Sequence, residues 1–228
     1  DRGVVVDVLL TRRASGWRRR LDDLRGRLEQ MGANVTRHGP RATKHHAKYI
    51  VADSGPLLVC SFNLTRRCFH DTCDFGVVTA DPGAVTDAWR LFESDLARRV
   101  LPASAARHSR LVLGPEWAGQ AVRDLLADAR RHIAIIDHKL DDVRVRRILA
   151  RKVRQGVRVD HIGTRVVAGR DAHGTLTIVD GRRALVGSLA LSSVSLGLRR
   201  ELNLLVEEPA CVRRLELFFT RAFKGGLS

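Results

Sequence analysis

The sequence of 228 residues has few aromatic side chains: three Trp, one Tyr and seven Phe. Proteins that bind single-stranded nucleic acid stack the bases on aromatic rings, so this scarcity argues against a base-stacking surface. Long apolar runs are also missing, because none approaches the ~20 residues of a transmembrane helix. We therefore expect no membrane-spanning segment. The compartment stays open between the cytoplasm, as a soluble protein, and the periphery of a membrane.

Cysteine is scarce as well, and its four residues carry little information about the fold. Cys68 and Cys73 bracket His70 and Asp71, a grouping that could suggest a metal site, but no second paired cluster accompanies them. We interpret the cysteines as free thiols, with a Cys68–Cys73 disulfide as the alternative. We predict neither a metal nor a cofactor.

Lysine supplies five of the 40 basic side chains, so the positive charge of this chain comes mainly from arginine. With 25 acidic side chains, the formal net charge is +15. A positive field of this size favours anionic partners such as nucleic acid, anionic lipid headgroups or phosphorylated small molecules. The alternative is that the arginines are spread over solvated helix faces and bind no particular partner.

The side chains with the clearest chemical potential lie between residues 46 and 74. They are His46, Lys48 and Asp53, in the spacing H-x-K-x4-D, followed by Ser61, Asn63 and Asp74. An imidazole that is partly neutral at pH 7 is a nitrogen nucleophile, and an ammonium group neutralises phosphate oxygens. Hydroxyl and amide groups add neutral donors, and a carboxylate can fix the tautomer of a histidine. These residue types suit the cleavage of a phosphodiester without a metal.

The chain contains a second copy of this pattern 127 residues further on. The matched pairs are His46 and His173, Asp53 and Asp180, Ser61 and Ser188, and Asp74 and Glu201. An ungapped match of this length indicates an internal repeat. The second copy is degraded, because Thr175 and Ala190 stand at the positions of the lysine and the asparagine.

The two copies resemble the phospholipase D superfamily, whose signature is H-x-K-x4-D followed by G-S-x-N and a downstream acid. Cys60 stands where the superfamily has glycine, whereas Gly187 keeps the glycine in the second copy. The resemblance implies a metal-free phosphodiesterase or phosphatidyltransferase that works through a phosphohistidine. The expected partner is therefore an anionic phosphodiester substrate, either a phospholipid or a nucleic acid.

The resemblance also assigns expected roles to the residues. We expect His46 to be the nucleophile, because the intact copy also holds the lysine, and His173 to protonate the leaving oxygen. Lys48 belongs to the expected catalytic set, as do Asp53 and Asp180, which we interpret as supporting the motif. The other expected site residues are Ser61, Asn63 and Ser188, which bind substrate, and Asp74 and Glu201, which orient the histidine rings.

Three functions stay open on these residues. We favour hydrolysis or transfer of phospholipid headgroups; the alternatives are a metal-independent nuclease of the same superfamily and a catalytically dead anion-binding module. His138 and Lys139 resemble a motif fragment and are expected to line the mouth of a cleft at most. We expect His46 and His173 to face one shared cleft, with a homodimer that pairs two copies of His46 as the alternative.

Apolar runs alternate with amphipathic segments, which predicts an α/β fold with mixed sheets flanked by helices. We expect two phospholipase D-like halves, residues 1–100 and 111–228, related by a pseudo-twofold axis as the resemblance implies. The strand–helix unit over 133–154 has no counterpart before residue 2, so we expect the first half to be clipped at its N-terminus. Residues 2–10 are predicted to form a buried parallel strand.

Overall fold

Strands and helices alternate along the chain in the computed structural model, which describes residues 3–12, 18–37, 44–102, 109–163 and 166–225. The first part contains β1 (Asp7–Leu10), α1 (Arg18–Gln30), β2 (Asn34–Arg37), β3 (Lys44–His45), β4 (Tyr49–Val51), β5 (Leu57–Cys60), α2 (Arg66–His70), β6 (Thr72–Cys73), β7 (Gly76–Thr79) and α3 (Pro82–Leu96). The second part contains β8 (Leu111–Gly114), α4 (Ala118–Ala127), β9 (His132–Ile136), α5 (Val143–Arg154), β10 (Arg158–Ile162), β11 (Val166–Val167), β12 (Arg170–Ala172), β13 (Thr175–Val179), β14 (Arg183–Gly187), α6 (Ser193–Gly197), β15 (Arg199–Val206) and α7 (Pro209–Phe223).

A mixed sheet of seven strands carries the second motif. Its order is β10-β9-β13-β14-β15, and both β8 and β3 pair with β15. The pairing of β9 with β10 is parallel, whereas β13, β14 and β15 run antiparallel to their neighbours in that order. These strands are apolar on both faces, as expected of a sheet that is covered on both sides.

The two faces of this sheet pack against different layers. Ile133 and Ile135 of β9 face α4 and α5, whereas Ala134 and Ile136 face a larger cluster that includes Phe219 of α7. Neighbouring residues of a strand point to opposite faces, so the unbroken apolar run of β9 serves both layers. The α/β class with mixed sheets flanked by helices is therefore confirmed.

A second sheet, of order β4-β5-β7, is antiparallel and carries the strands that flank the first motif. Leu57 and Val59 of β5 are fully buried in the same cluster as Leu202 and Phe219 from the second half of the chain. One apolar core thus joins the two parts. The linker predicted over 101–109 falls largely outside the described residues, and the division into residues 1–100 and 111–228 stays a prediction.

The two halves exchange short strands in a symmetric way. Lys44 of β3 pairs with Arg199 of β15, and Asp171 of β12 pairs with Thr72 of β6, both in parallel. These two pairings are equivalent under the 127-residue offset, with the halves interchanged. The first pairing places the residues before His46 beside those before Glu201, and the second places the residues before His173 beside those before Asp74.

The strand predicted over residues 2–10 is shorter and more exposed than expected. β1 begins at Asp7 and pairs with β2 in a two-stranded parallel sheet, and Val4 and Val5 before it are 70% and 75% exposed. The prediction of burial was wrong for these valines because they precede the paired segment. Arg2 lies outside the described residues. None of the described helices has the length and hydrophobicity needed to cross a bilayer.

A close approach of backbone at Gly187 gives a stability prediction. A Cβ atom at this position would lie 2.1 Å from the carbonyl oxygen of Leu202 on the neighbouring strand. We expect Gly187→Ala to destabilise the fold by ~1–3 kcal/mol or more, because β14 and β15 must separate to accept the methyl group. Urea unfolding followed by circular dichroism measures the change.

The control for this substitution is Gly26→Ala in α1. No atom lies within 4 Å of a Cβ built there, and alanine is a better helix former by roughly 1 kcal/mol. This variant should be as stable as the parent protein or slightly more stable. Equal urea midpoints of unfolding for Gly187→Ala and the parent protein would contradict the close approach of β14 and β15 at Gly187.

Candidate active site

Both motif histidines line one small cavity of about 20 Å³. Its other lining residues are Ser61, His138, Lys139, Thr175, Gly187, Ser188, Ala190, Ser195 and Arg199. The expectation that His46 and His173 share one cleft is therefore met by their positions, although 127 residues separate them in the chain. Their side chains keep 25% and 33% of their surface exposed, so an incoming anion can reach both rings.

Each histidine ring is held by the carboxylate of the opposite half. His46 Nδ1 lies 2.8 Å from Glu201 Oε2, and His173 Nδ1 lies 2.8 Å from Asp74 Oδ1. When a ring donates its Nδ1–H to such a carboxylate, Nε2 keeps the lone pair that can attack phosphorus or take a proton. The expected orienting role of Asp74 and Glu201 thus has a geometric basis, with the acids crossed between the halves.

Hydroxyl groups hold the two carboxylates in place. Ser61 Oγ donates to Asp74 Oδ1 at 2.6 Å, and Thr72 also donates to this carboxylate. In the other half, Ser195 Oγ donates to Glu201 Oε1 at 3.0 Å. Oriented donors stabilise a charged carboxylate that burial would otherwise neutralise. These hydrogen bonds therefore fix the anion that each imidazole faces.

The two serines of the motifs make the same backbone contacts. Ser61 Oγ accepts from the amide of Phe75 at 2.9 Å, and Ser188 Oγ accepts from the amide of Leu202 at 3.1 Å. Both serines were expected to bind substrate. Both line the cavity, but each hydroxyl also ties its strand to the residue after the acid, so they support the site as well as facing it.

The electrostatics of the site favour charged carboxylates and a neutral His46 ring. Burial alone would raise the pKa of Glu201, but the hydrogen bond from His46 holds it below its ordinary value. The pKa of Asp74 is likewise lowered, because its bonds to His173, Ser61 and Thr72 outweigh burial. Burial lowers the pKa of His46 despite the hydrogen bond to Glu201, so this ring is mostly unprotonated at neutral pH.

Lys48 lies beside the cavity rather than among the residues that line it. Its Nζ donates to the carbonyl oxygen of His46 at 2.6 Å, and burial lowers its pKa to about 8. An ammonium group has three protons, so this hydrogen bond leaves protons for a phosphate oxygen. Cys60 next to it stays a neutral thiol, because burial raises its pKa to about 11.

The two motif aspartates lie away from the reacting groups. The carboxylate of Asp180 accepts from the backbone amides of Arg130, Arg131 and His132 at the far end of β13. Strands rise ~3.3 Å per residue, so Asp180 is roughly 20 Å along the chain from His173. Asp53 is exposed in the turn after β4, and its carbonyl oxygen accepts from Trp89. These positions suit the supporting role in which we interpret both aspartates, and their part in catalysis stays a prediction.

The remaining predicted residues divide between the cavity and the surface. Asn63 is exposed in the loop after β5 and is not among the lining residues. Thr175 and Ala190, at the positions of the lost lysine and asparagine, do line the cavity, and Thr175 Oγ1 donates to the carbonyl of Leu189 at 2.9 Å. The second half therefore still faces the site after losing these two groups.

Three cations at the site have no place in the motif. Lys139 and Arg199 line the cavity, and Lys44 pairs with Arg199 across the exchanged strands. Asp137 holds the loop of Lys139 by accepting its backbone amide at 2.7 Å. Residue spacing contains a weak signal for Lys139, which follows His138 in a fragment that resembles the motif. Spacing contains no signal for Lys44, two residues before His46, or for Arg199, two residues before Glu201. Their places at the site depend on strand pairing between the two halves, which the distance along the chain does not reveal.

Among the described residues, one group of side chains has the composition of a metal site. Cys68, Asp74 and His173 each place a ligand atom within 4.8 Å of the other two. Cys73, which brackets His70 and Asp71 together with Cys68 in the sequence, is buried and is not part of this group. All four cysteines are free thiols, as expected.

A family model described as "Cardiolipin synthase, PLD-like domain" matches residues 1–96. The fold is similar to that of a polyphosphate kinase from Porphyromonas gingivalis (TM-score 0.75, 21% identity), with 95% of this chain covering 38% of the kinase. It is also similar to a phosphatidylserine synthase from Haemophilus influenzae Rd KW20 (TM-score 0.68, 11% identity), with 97% of this chain covering 82% of the synthase.

A shorter likeness is to Nuc from Salmonella typhimurium, described as a phospholipase D family member, with a TM-score of 0.44, 15% identity and coverage of 50% of this chain and 92% of Nuc. No curated protein matches the chain. Residues 1–96 therefore match a phospholipase D-like domain, and the fold of the chain as a whole is similar to that of the kinase and the synthase. The chain spans well under half of the polyphosphate kinase, so the activity of that whole enzyme is not carried over.

The pKa of Lys48 predicts how anion binding depends on pH. Lys48 is charged below a pKa of about 8 and neutral above it. We expect sulfate, whose own charge is constant in this range, to bind roughly fivefold more weakly once pH has risen through that value, as ~1 kcal/mol of Coulomb energy is lost. Isothermal titration calorimetry on both sides of the pKa measures the change.

Lys48→Arg is the control, because arginine keeps its charge throughout this range. Its sulfate affinity should stay nearly constant as pH rises. A fall of the same size in Lys48→Arg would assign the titration to another group, such as Lys44, whose pKa is lowered by burial and by Arg199.

Proposed function

We propose that this protein is a phosphodiesterase or phosphatidyltransferase that acts through a phosphohistidine on His46. The observation that carries the proposal is the pair of crossed histidine–carboxylate contacts on one cavity. A phosphodiester is a poor electrophile because it is anionic, and a covalent route divides its cleavage into two easier steps. Two oriented imidazoles on one cavity are the groups that this route needs.

In the first step, His46 Nε2 attacks phosphorus and forms the N–P bond as the P–O bond to the leaving alcohol breaks. His173, in its protonated form, gives a proton to the leaving oxygen. In the second step, water or another alcohol attacks phosphorus and loses its proton to His173, and the N–P bond breaks. The enzyme returns to its starting state, and the acceptor decides between hydrolysis and transfer.

The assignment of the nucleophile to His46 is supported by its surroundings. Burial lowers the pKa of His46, so an unprotonated ring is available at neutral pH. Lys48 donates from its ammonium group to the backbone carbonyl of His46, so its positive charge can act on a phosphate that His46 attacks. His173 faces Asp74, whose negative charge can stabilise the imidazolium form of the ring until that ring donates its proton.

The cations around the cavity are suited to the charge that develops on the phosphate. Negative charge grows on the equatorial oxygens, and preorganised donors stabilise it more than they do in water. Lys139 and Arg199 supply such donors from the second half, where Thr175 has replaced the motif lysine. The degraded copy can therefore contribute charge as well as a general acid.

Phospholipid headgroups are the substrate class that we favour. The matched family model is described for cardiolipin synthase, whose name indicates lipid chemistry. The short helices α2 and α6 occupy equivalent places beside the site and carry exposed apolar residues in or next to them, among them Phe69 (58%) and Leu198 (66%). Apolar side chains flanked by cations are typical of surfaces that contact an anionic membrane.

A nucleic acid is the second candidate substrate. The net charge of +15 and the cations Lys44, Lys139 and Arg199 favour a polymer with repeated phosphates. The scarcity of Trp and Tyr gives few rings for base stacking. A third outcome is an inactive module that only binds anions.

The test of the proposal is the loss of turnover in His46→Ala. We expect no hydrolysis or headgroup exchange by this variant above background, because the covalent bond cannot form, whereas His70→Ala, with an exposed histidine in α2, should keep activity. Liposomes of phosphatidylglycerol, single-stranded DNA and inorganic polyphosphate are offered separately. Rapid acid-free denaturation during turnover, followed by mass spectrometry, should find phosphate or phosphatidate on His46.

The outcomes separate the candidates. Turnover of liposomes but not of DNA supports the lipid assignment, and the reverse result supports a nuclease. An adduct on His173 alone would reverse the roles of the two rings. A parent protein that binds sulfate but converts none of the substrates, including a chromogenic phosphodiester, would support the inactive module.

Turnover should also survive treatment with EDTA. The proposed steps take their positive charge from Lys48, Lys139 and Arg199 and their proton transfers from the two histidines, so no step uses a metal ion. The measurement compares rates before and after chelation and gel filtration. Activity that disappears on chelation and returns with added Mg²⁺ or Zn²⁺ would contradict this mechanism.

A further inference from the structure

The group of Cys68, Asp74 and His173 has an internal comparison in the same molecule. Under the 127-residue offset, Cys68 corresponds to Ser195, whose hydroxyl donates to Glu201 at 3.0 Å. The second half thus has hydroxyl, carboxylate and imidazole where the first half has thiol, carboxylate and imidazole. Replacing the hydroxyl by a thiol adds little to hydrogen bonding, because S–H is a weak donor, but it adds a strong ligand for soft metals.

The three ligand types match those that Zn²⁺ prefers. Zinc binds thiolate, imidazole and carboxylate at ~2.0–2.3 Å, which in a tetrahedral site separates the ligand atoms by ~3.5 Å. The ligand atoms of this group already lie within 4.8 Å of one another, so side-chain rotations of about an ångström complete the set. Three protein ligands leave the fourth position of the metal open to water or to a substrate oxygen.

The group is also reachable and supported. His173 is one-third exposed and Cys68 is partly exposed, whereas the side chain of Asp74 is 5% exposed and is fixed by hydrogen bonds from Ser61 and Thr72. A metal can therefore reach His173 and Cys68 from solvent and meet a carboxylate that is already oriented. Hydrogen bonds to a ligating carboxylate raise metal affinity in the same way as in established metal sites.

We infer that Cys68, Asp74 and His173 form a zinc site that inhibits the enzyme. Binding converts the thiol of Cys68 to a thiolate with release of a proton. The metal also binds His173, the proposed general acid, and Asp74, the carboxylate that orients it, so neither can then serve the proton transfer. The inhibitory part of this inference rests on the proposed function, whereas the binding part does not. The other half, with Ser195 in place of Cys68, has no equivalent site.

Cobalt(II) tests the binding part, because a thiolate ligand gives it an intense near-ultraviolet charge-transfer band and tetrahedral coordination gives visible bands. We expect one equivalent of Co²⁺ to produce these bands and Zn²⁺ to abolish them. In Cys68→Ser the bands should be lost, and zinc affinity, measured against a chromophoric chelator, should fall by at least ~10-fold. Cys211→Ser, with a partly exposed thiol on α7, should behave as the parent protein.

Turnover tests the inhibitory part. Zinc should inhibit the parent protein and Cys211→Ser, and EDTA should restore both. Cys68→Ser should retain basal turnover, because serine is the natural residue at the matched position and Cys68 has no part in the proposed transfer, and it should resist zinc.

The two proposals fail in different ways. Charge-transfer bands that persist in Cys68→Ser, or their absence from the parent protein, would overturn the zinc site whatever the activity. Equal inhibition of Cys68→Ser and the parent would overturn the assignment of inhibition to this group. Bands that depend on Cys68 in a protein that turns over no phosphodiester would support the metal site, contradict the inhibitory role and count against the proposed function.

Discussion

The exchange of carboxylates between the two halves is the constraint on which the rest of the site depends. Glu201 is fully buried and Asp74 is nearly so, and a buried carboxylate without partners is costly. Each acid is stabilised by a histidine from the opposite half and by hydroxyl groups from its own. Neither half could therefore leave the other without exposing an unpartnered charge, so the fold and the site stabilise each other.

The two copies have diverged while this exchange has been kept. The first keeps the lysine beside its histidine and buries that ring enough to keep it unprotonated. The second has small residues, Thr175 and Ala190, where the motif has longer ones, and its cavity wall includes Lys139 and Arg199. A twofold arrangement of equal halves would give two equivalent rings, whereas the proposed nucleophile and the proposed acid need different surroundings. The divergence supplies that difference.

Much of this arrangement is predictable from the sequence, because a constant offset of 127 residues constrains both copies at once. It predicted the matched pairs and the shared cleft, and the alternation of apolar runs with amphipathic segments predicted the α/β class. Spacing along a chain does not say which acid faces which ring, so the crossing of the halves was not predictable. For the same reason the position of Arg199 beside the cavity was not predictable, because it follows from the pairing of β3 with β15.

The departure from the superfamily pattern at Cys60 follows from the sheet rather than from the chemistry. Cys60 pairs with Gly76 between β5 and β7, and the equivalent residues of the second half are Gly187 and Asn203 between β14 and β15. A Cβ on Gly187 would collide with Asn203, and a Cβ on Gly76 would lie 3.4 Å from the Cβ of Cys60. Each pair contains one glycine, on opposite strands. A side chain at Gly187 has no room beside Asn203, whereas a Cβ at Gly76 would meet Cys60 at an ordinary van der Waals distance. The sheet of the first motif therefore accommodates a side chain at position 60, and the departure from the superfamily pattern there is explained by packing.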